Sequence, residues 1–142
     1  MTARVLLVDD ELDFLEVMEE RLKNRGMEVT TSSNAEDALK QVASEPFDAV
    51  ILDLKMPGID GLETLNLIKE QRPEVQVILL TGHATVEKGV EAIKRGAMEF
   101  VEKPADLEFL TEKIESAREK KMLIVEKTNE ARIMEILKHH GY

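Results

Sequence analysis

The sequence predicts an α/β domain in which helices cover both faces of a parallel sheet. Five short apolar runs alternate with longer amphipathic segments along the 142 residues, as β–α units do. The runs are rich in Val, Ile and Leu and lack strict apolar–polar alternation, which is typical of strands buried on both faces. The length is that of one ordinary domain. Consecutive β–α units of this kind join parallel strands by right-handed crossovers.

The apolar runs give the predicted strands in chain order. They lie at 5–8, 27–31, 49–54, 75–80 and 98–101. The segments between them carry apolar residues three and four positions apart, as helices that pack by one face do. Asn34 stands where it can cap the second helix, and Gly26 and Gly96 stand where the first and fourth helices should end.

Composition excludes several classes of function. The 29 acidic and 19 basic residues give a formal net charge of −10, which argues against direct binding of nucleic acid, since that requires clustered cations. The chain has no cysteine, so disulfides, thiolate metal sites and a cysteine nucleophile are excluded. Neither a signal peptide nor a membrane-spanning stretch fits the sequence. We therefore expect a cytoplasmic protein without membrane contact.

Polar residues follow the predicted strands at the edge where parallel sheets of this kind bind ligands. Asp9 and Asp10 follow the first strand, Asp53 ends the third, Thr81 follows the fourth and Lys103 follows the fifth. If these strands are neighbours, three carboxylates, a hydroxyl and an ammonium group meet at one edge of the sheet.

This combination of groups indicates phosphoryl chemistry. Three carboxylates repel one another unless a cation such as Mg²⁺, which prefers oxygen ligands, lies between them. Asp53 stands alone after an apolar strand, so we expect it to be the carboxylate best exposed to attack phosphorus and form an aspartyl phosphate. Lys103 and Thr81 would bind the phosphoryl oxygens by charge and by a hydrogen bond.

Each residue also has a structural interpretation. Asp9, Asp10 and Glu11 can be acids that stabilise a helix N-terminus. Asp53 can be a turn residue ahead of Pro57, and a single Thr or Lys is often structural or solvated. The coincidence of all these groups at strand ends favours a functional site.

Four segments carry a specific set of motifs in a fixed order. They are VLLVDDE at 5–11, DLKMPGIDG at 53–61, LTGHA at 80–84 and GAMEFVEKP at 96–104. Together they resemble the receiver domains of bacterial two-component response regulators. The stretch 81–104 resembles the receivers of enhancer-binding transcription activators. The resemblance assigns 1–119 to a receiver domain and leaves 120–142 as a C-terminal helical extension or the start of a linker.

The resemblance implies a flavodoxin-like, doubly wound sheet of five parallel strands in the order 2-1-3-4-5, with five helices. It implies that Asp53 accepts a phosphoryl group from a histidine kinase or a histidine phosphotransfer protein in a Mg²⁺-dependent reaction. Asp10 would supply the main metal carboxylate, and Asp9 would act partly through water. Asp53 and the backbone carbonyl of Lys55 would complete the metal ligands.

The resemblance also implies a switch. Thr81 and Phe100 occupy the family's switch positions, and Lys103-Pro104 matches its lysine and commonly cis-bonded proline. Phe100 lacks the hydroxyl of the tyrosine often found there, and it can equally be a core residue. The readout surface would be the fourth helix, fifth strand and fifth helix. The chain would be a signalling module that catalyses only its own phosphorylation and dephosphorylation, not an enzyme.

Two other classes of protein remain as alternatives. A haloacid-dehalogenase-like phosphatase also uses an aspartate nucleophile with Mg²⁺, but that nucleophile follows the first strand in an Asp-x-Asp pattern. Here residues 9–11 read Asp-Asp-Glu. A flavodoxin that binds flavin needs a hydroxyl- and glycine-rich phosphate loop after its first strand, and an acidic loop would repel the flavin phosphate.

Helix-forming composition continues past the expected end of the domain. No Pro or Gly occurs between Pro104 and Gly141, and one helix over 107–138 would be about 48 Å long. Its outer half is too apolar to leave in water, so we expect a second copy to cover it as a helical dimer. The alternatives are that it folds back on its own domain or frays. A downstream protein or an output domain would receive the signal.

Overall fold

A computed structural model describes residues 2–139, in which five strands and five helices alternate. The strands are β1 (Arg4–Val8), β2 (Glu28–Ser32), β3 (Ala49–Leu52), β4 (Gln76–Thr81) and β5 (Glu99–Glu102). The helices are α1 (Leu12–Asn24), α2 (Ala35–Ser44), α3 (Gly61–Gln71), α4 (Val86–Lys94) and α5 (Leu107–His139). The predicted β–α alternation is confirmed.

The sheet has the order β2-β1-β3-β4-β5, and every neighbouring pair of strands is parallel. The predicted flavodoxin-like fold and its strand order are therefore confirmed. The strand order reverses between β1 and β3. The helices that follow these two strands, α1 and α3, therefore lie on opposite faces of the sheet. A crevice consequently opens at their carboxyl ends, where proteins of this architecture bind ligands.

The sheet is buried on both faces by two separate apolar cores. In β1, Val5 and Leu7 point into the core beneath α1 and α5, while Leu6 and Val8 point into the core beneath α2, α3 and α4. The same alternation continues along β3 and β4, because successive strand residues point to opposite faces. Burial on both faces explains why the central strands β1, β3 and β4 are almost continuously apolar, whereas the edge strands β2 and β5 are less buried and carry polar residues.

Two features predicted for the helix ends are confirmed. The Asn34 side chain accepts a hydrogen bond from the backbone amide of Asp37 at 2.8 Å and so caps α2. Gly26 and Gly96, which follow α1 and α4, have φ angles of 86° and 100°. Side chains with a Cβ rarely adopt this conformation, so glycine ends both helices at low cost.

The predicted third strand is too long by two residues. The backbone carbonyl of Leu54 accepts a hydrogen bond from the amide of Gly61 at 2.8 Å, which turns the chain away from the sheet. The amide of Asp53 still donates to the carbonyl of Val8 at 3.0 Å. Asp53 therefore lies where the backbone hydrogen bonds between β1 and β3 end and the loop begins. The other predicted strands differ from the observed ones by one residue at one or both ends.

The predicted fifth helix is confirmed as a single helix, α5, of 33 residues. The first half of this helix packs against the sheet through three buried residues, Leu110, Ile114 and Ala117. Residues 125–139, in contrast, are all exposed. The alternative in which this segment folds back on its own domain is therefore wrong. Residues 140–142 of the predicted extension lie outside the described residues. Within residues 2–139, no helix combines the length and the apolar character needed to cross a membrane.

Candidate functional site

Three carboxylates meet at the carboxyl ends of β1 and β3, as predicted. Asp9 and Asp10 follow β1, and Asp53 follows the neighbouring β3. One oxygen from each of the three lies within 4.8 Å of those from the other two. Asp9 and Asp53 are only 2% and 3% exposed, whereas Asp10 is exposed to solvent.

The expectation that Asp53 is the best exposed of these carboxylates is wrong, because its own loop and a lysine cover it. The Oδ1 atom of Asp53 accepts a hydrogen bond from the backbone amide of Lys55 at 3.3 Å. The Oδ2 atom lies 3.6 Å from the Lys103 ammonium nitrogen. Asp10 instead occupies the solvent side of the cluster. An incoming group would approach Asp53 past the charged side chains of Asp10 and Lys103.

The backbone fixes Asp9 in place. Its amide donates to the carbonyl of Ser32 at 3.1 Å, which continues the ladder between β1 and β2. Its Oδ1 atom accepts a hydrogen bond from the amide of Glu11 at 2.9 Å, where α1 is about to begin. Asp9 therefore has one oxygen bonded to the backbone, and its other oxygen, Oδ2, faces the cluster.

Lys103 reaches this cluster from the loop that follows β5. Its side chain is 14% exposed, and its Nζ atom lies 2.6 Å from Asp9 Oδ2 and 3.4 Å from Glu11 Oε1. The same nitrogen stands 4.0 Å from the centre of the Phe14 ring, within the range of a cation–π contact. The peptide bond between Lys103 and Pro104 is cis, as the family resemblance implied.

Burial and charge shift the pKa values of Asp9 and Lys103 in opposite directions. Burial raises the pKa of the Asp9 carboxyl above its usual value, although the hydrogen bond and charge of Lys103 oppose that shift. For Lys103, burial alone would lower the pKa. The hydrogen bond from Lys103 to Asp9 and the charges of Asp9, Asp53 and Glu11 outweigh burial, so the pKa of Lys103 is raised. Lys103 therefore stays an ammonium ion at neutral pH.

Thr81 lies at the end of β4 and is fully buried. Its hydroxyl oxygen accepts a hydrogen bond from the backbone amide of His83 at 3.1 Å, which leaves the hydroxyl proton free to donate. Its carbonyl accepts a hydrogen bond from the amide of Lys103 at 2.9 Å. The backbones that carry Thr81 and Lys103 are thus joined directly at the edge of the sheet.

Phe100 packs at a distance from the carboxylates, against α4. Its ring is partly buried on the core beneath α2, α3 and α4. A Cβ atom added to Gly89 would lie 2.7 Å from the ring, so the aromatic ring occupies the space left by that glycine. Val86, Val90 and Ile93 on the same helix are exposed and line a shallow groove with Phe100. Phe100 therefore contacts α4 directly and forms part of its exposed groove.

Sequence reasoning missed two contacts of Lys103. Glu11 was interpreted only as an acid near the helix N-terminus, and Phe14 was not considered. Glu11 is the N-cap residue of α1 and Phe14 lies in its first turn, three residues further along the chain, so both side chains can lie on one side of the start of the helix. That spacing, immediately after Asp9 and Asp10, is a signal that could have placed them together at the site.

The donor set fits a magnesium ion. Three carboxylates converge on this edge with a single ammonium group, so negative charge is in excess there. Mg²⁺ prefers oxygen ligands and keeps several waters, and the exposed Asp10 leaves one side of the cluster open to solvent. The backbone of Lys55 follows in the same loop as Asp53. Three of the residues that the resemblance implied for the metal, Asp9, Asp10 and Asp53, therefore lie in one cluster, and the role of the Lys55 carbonyl stays a prediction.

Comparison with known proteins agrees with this geometry. The family model described as "Response regulator receiver domain" matches residues 5–115. The nitrogen assimilation regulatory protein NtrX of Azorhizobium caulinodans is 38% identical over 121 residues, which are 84% of this chain and 27% of NtrX. The transcriptional regulatory protein ZraR of Salmonella typhimurium is 35% identical over 113 residues, 80% of this chain and 26% of ZraR.

A solved structure supports the same assignment. The CheY-like response regulator receiver domain protein of Methanospirillum hungatei superimposes with a TM-score of 0.81 at 30% identity. The alignment covers 86% of this chain and 98% of that one. This chain spans about a quarter of the length of the two curated relatives. The predicted domain end at residue 119 stays a prediction. The chain belongs to the response regulator receiver domain family of two-component systems.

Proposed function

We propose that Asp53 accepts a phosphoryl group from a histidine kinase or a histidine phosphotransfer protein, and that the chain is a phosphorylation-dependent switch. The observation that carries this proposal is the convergence of Asp9, Asp10 and Lys103 on a single carboxylate at the carboxyl edge of the sheet. Membership of the receiver family supports it. Phosphoryl transfer depends mainly on positioning and charge neutralisation, and these residues supply both.

The transfer forms one bond and breaks one. An Asp53 carboxylate oxygen bonds to phosphorus, while the bond from phosphorus to the donor's imidazole nitrogen breaks. The nitrogen keeps the electron pair, and the ring, which carries a proton on its other nitrogen, leaves as neutral imidazole. Lys103 offsets the charge on the phosphoryl oxygens, and the free hydroxyl proton of Thr81 donates a hydrogen bond to one of them.

Asp9, Asp10, Asp53 and the backbone carbonyl of Lys55 would hold Mg²⁺. The ion would neutralise negative charge on the phosphoryl oxygens as they approach the carboxylates. Asp10 is free to bind it directly, whereas Asp9 already accepts hydrogen bonds on both oxygens. This difference supports a main role for Asp10 and a partly water-mediated role for Asp9.

The modification would change the surface formed by α4, β5 and α5. A phosphoryl group adds charge and acceptor oxygens at Asp53, which draws Lys103 and Thr81 towards it. Phe100 lies between that edge and the exposed side of α4, where its ring occupies the space beside Gly89. A change in ring position would therefore alter the groove that α4 presents to a partner.

The chain would act in the cytoplasm as a signalling module that catalyses only its own phosphorylation and dephosphorylation. Its output would pass to a downstream protein or to an output domain, without direct contact with nucleic acid or the membrane. A second copy would pair with the exposed half of α5. The relatives' greater length supports an output domain.

Incubation with acetyl phosphate and Mg²⁺ tests the switch against the phosphatase alternative. We expect one phosphoryl group per chain and slow release of inorganic phosphate. Sustained turnover of many acetyl phosphate molecules per chain would contradict the switch and favour a phosphatase.

A further inference from the structure

A narrow stripe on the outer half of α5 is left uncovered by the domain. Its apolar members are between 39% and 57% exposed: Met122, Val125, Ile133 and Ile136. On a helix that turns 100° per residue, these four side chains lie within an arc of about 80°. Asn129 lies in the same arc, midway along the stripe, and it is the one polar residue there between positions 121 and 137.

This stripe is a different surface from the one that packs on the sheet. It is turned by about 90° from the face that carries Leu110, Ile114 and Ala117, which are buried. Lys121 forms an ion pair with Asp48 at 3.7 Å at the base of the sheet, and the stripe begins directly after it. The domain can therefore stay folded while a partner covers the stripe.

The stripe lines an open groove that suits a helix as its occupant. Met122, Val125, Asn129 and Ile133 line this groove. Their spacing of three, four and four residues repeats after 11 residues, since Ile133 and Ile136 take the places of Met122 and Val125. Such a repeat keeps one face of two helices in contact through a right-handed supercoil. A seven-residue register continued from Leu110 fits less well, because it places Lys121 and Glu135 on the seam.

Asn129 selects what can lie in the groove. An amide pressed against apolar side chains loses its hydrogen bonds to water and gains none. A second copy of α5 aligned at the same height would place Asn129 opposite its counterpart, so that each amide finds a partner. A single Asn in an apolar seam is known to fix register and oligomeric state in this way.

The charges beside the stripe select the orientation of the second copy. Glu126 and Glu130 lie on one flank, and Arg132 lies on the other, where Lys121 already pairs with Asp48 of its own domain. In a parallel pair, each flank of one helix faces the opposite flank of its partner, so acids meet bases. In an antiparallel pair centred on Asn129, each flank faces its own kind, so acids meet acids.

We propose that two copies pair through α5 in parallel and in register, with Asn129 of each chain bonded to its counterpart. This inference rests on the pairing of copies suggested above and adds its surface, direction and register. Ile133 lies near the centre of the contact, so an aspartate there would place a charge in the seam.

Sedimentation of the full chain tests the pairing first. We expect the unmutated chain to dimerise and Ile133→Asp to weaken dimerisation at least tenfold, because a buried charge is costly. Lys127→Asp, on the opposite side of the helix, is the control and should dimerise normally. A monomeric unmutated chain, with and without beryllofluoride, overturns the proposal. If that chain still accepts one phosphoryl group from acetyl phosphate, only the pairing fails and the switch stands.

Disulfide formation tests the direction, since the chain has no native cysteine. Met122→Cys and Ile136→Cys should each cross-link to themselves in a parallel pair. Cross-linking only when the two variants are mixed would show an antiparallel pair and overturn the proposal. Asn129→Val, added to each of these variants, should weaken self-cross-linking, because the two parallel helices can then shift along one another. If self-cross-linking is unchanged, Asn129 does not set the register.

Discussion

The Lys103 ammonium nitrogen lies closer to Asp9 than to Asp53, at 2.6 Å from one carboxylate and 3.6 Å from the other. The two carboxylates are almost completely buried. A phosphoryl group on Asp53 would bring anionic oxygens within reach of the same nitrogen. Lys103 can therefore exchange one anionic partner for another without leaving the site. This exchange would transmit the phosphorylation of Asp53 to β5.

Replacing Lys103 by Ala should leave a chain that accepts a phosphoryl group but does not switch. The ammonium that ties the phosphoryl group to β5 is lost, whereas Asp53 and the metal ligands remain. Beryllofluoride should then cause far smaller amide chemical-shift changes in α4 and β5 than in the unmutated chain. Lys113→Ala, which removes a lysine of α5 that pairs with Glu99 on β5, is the control. Undiminished shift changes in the Lys103 variant would contradict its role.

Replacing Asp10 by Ala should weaken Mg²⁺ binding more than replacing Asp9. Asp10 is exposed and free to bind the ion directly, while both Asp9 oxygens accept hydrogen bonds. We expect a loss of at least tenfold in affinity for Asp10→Ala, as for the loss of a direct carboxylate ligand. Calorimetric titration measures both variants, with the exposed Asp13→Ala as the control. Equal or inverted losses would reverse the two roles.

Replacing Thr81 by Ala should separate phosphorylation from its effect on α4. Thr81 is fully buried, and its hydroxyl proton is the free donor at this edge. Thr81→Ser keeps that donor and should retain the shift changes in α4 when beryllofluoride is added. If Thr81→Ala behaves like Thr81→Ser, the hydroxyl does not transmit the signal.

Replacing Gly89 by Ala should force the Phe100 ring to move. The added Cβ would lie 2.7 Å from the ring, and overpacking of this kind costs about 1–3 kcal/mol. That loss should outweigh the gain of up to about 1 kcal/mol that alanine brings to a helix. Urea denaturation should show lower stability, with recovery in Gly89→Ala/Phe100→Leu.

Gly82→Ala is the matched control for this experiment, because no atom lies within 4 Å of a Cβ added there. Its stability should be close to that of the unmutated chain. If Gly89→Ala is as stable as this control, the contact between Gly89 and Phe100 does not constrain the ring.

The sequence predicted the carboxylate cluster because parallel strands deliver their carboxyl ends to one edge. Once β1 and β3 are neighbours, Asp9, Asp10 and Asp53 must meet. The burial of Asp53 could not be predicted in the same way. It depends on where the loop amide of Lys55 and the ammonium of Lys103 come to lie, and tertiary packing sets both positions.

The contacts of Glu11 and Phe14 with Lys103 were missed for a similar reason. Glu11 and Lys103 are 92 positions apart, and their meeting depends on the rotation of α1 about its axis. On α5, the length of the helix followed from the absence of Pro and Gly. The uncovered stripe did not follow from continuing the buried face, because the two surfaces differ by about 90° around the helix.

The most direct test of the account is to locate the phosphoryl group. Mass spectrometry after treatment with acetyl phosphate and Mg²⁺ should show one phosphoryl group on the unmutated chain and on the control Asp13→Asn. Asp53→Asn keeps the shape of the side chain but removes the attacking carboxylate, so it should gain none. An undiminished phosphoryl gain in Asp53→Asn, or its location on another residue of the unmutated chain, would contradict the central claim.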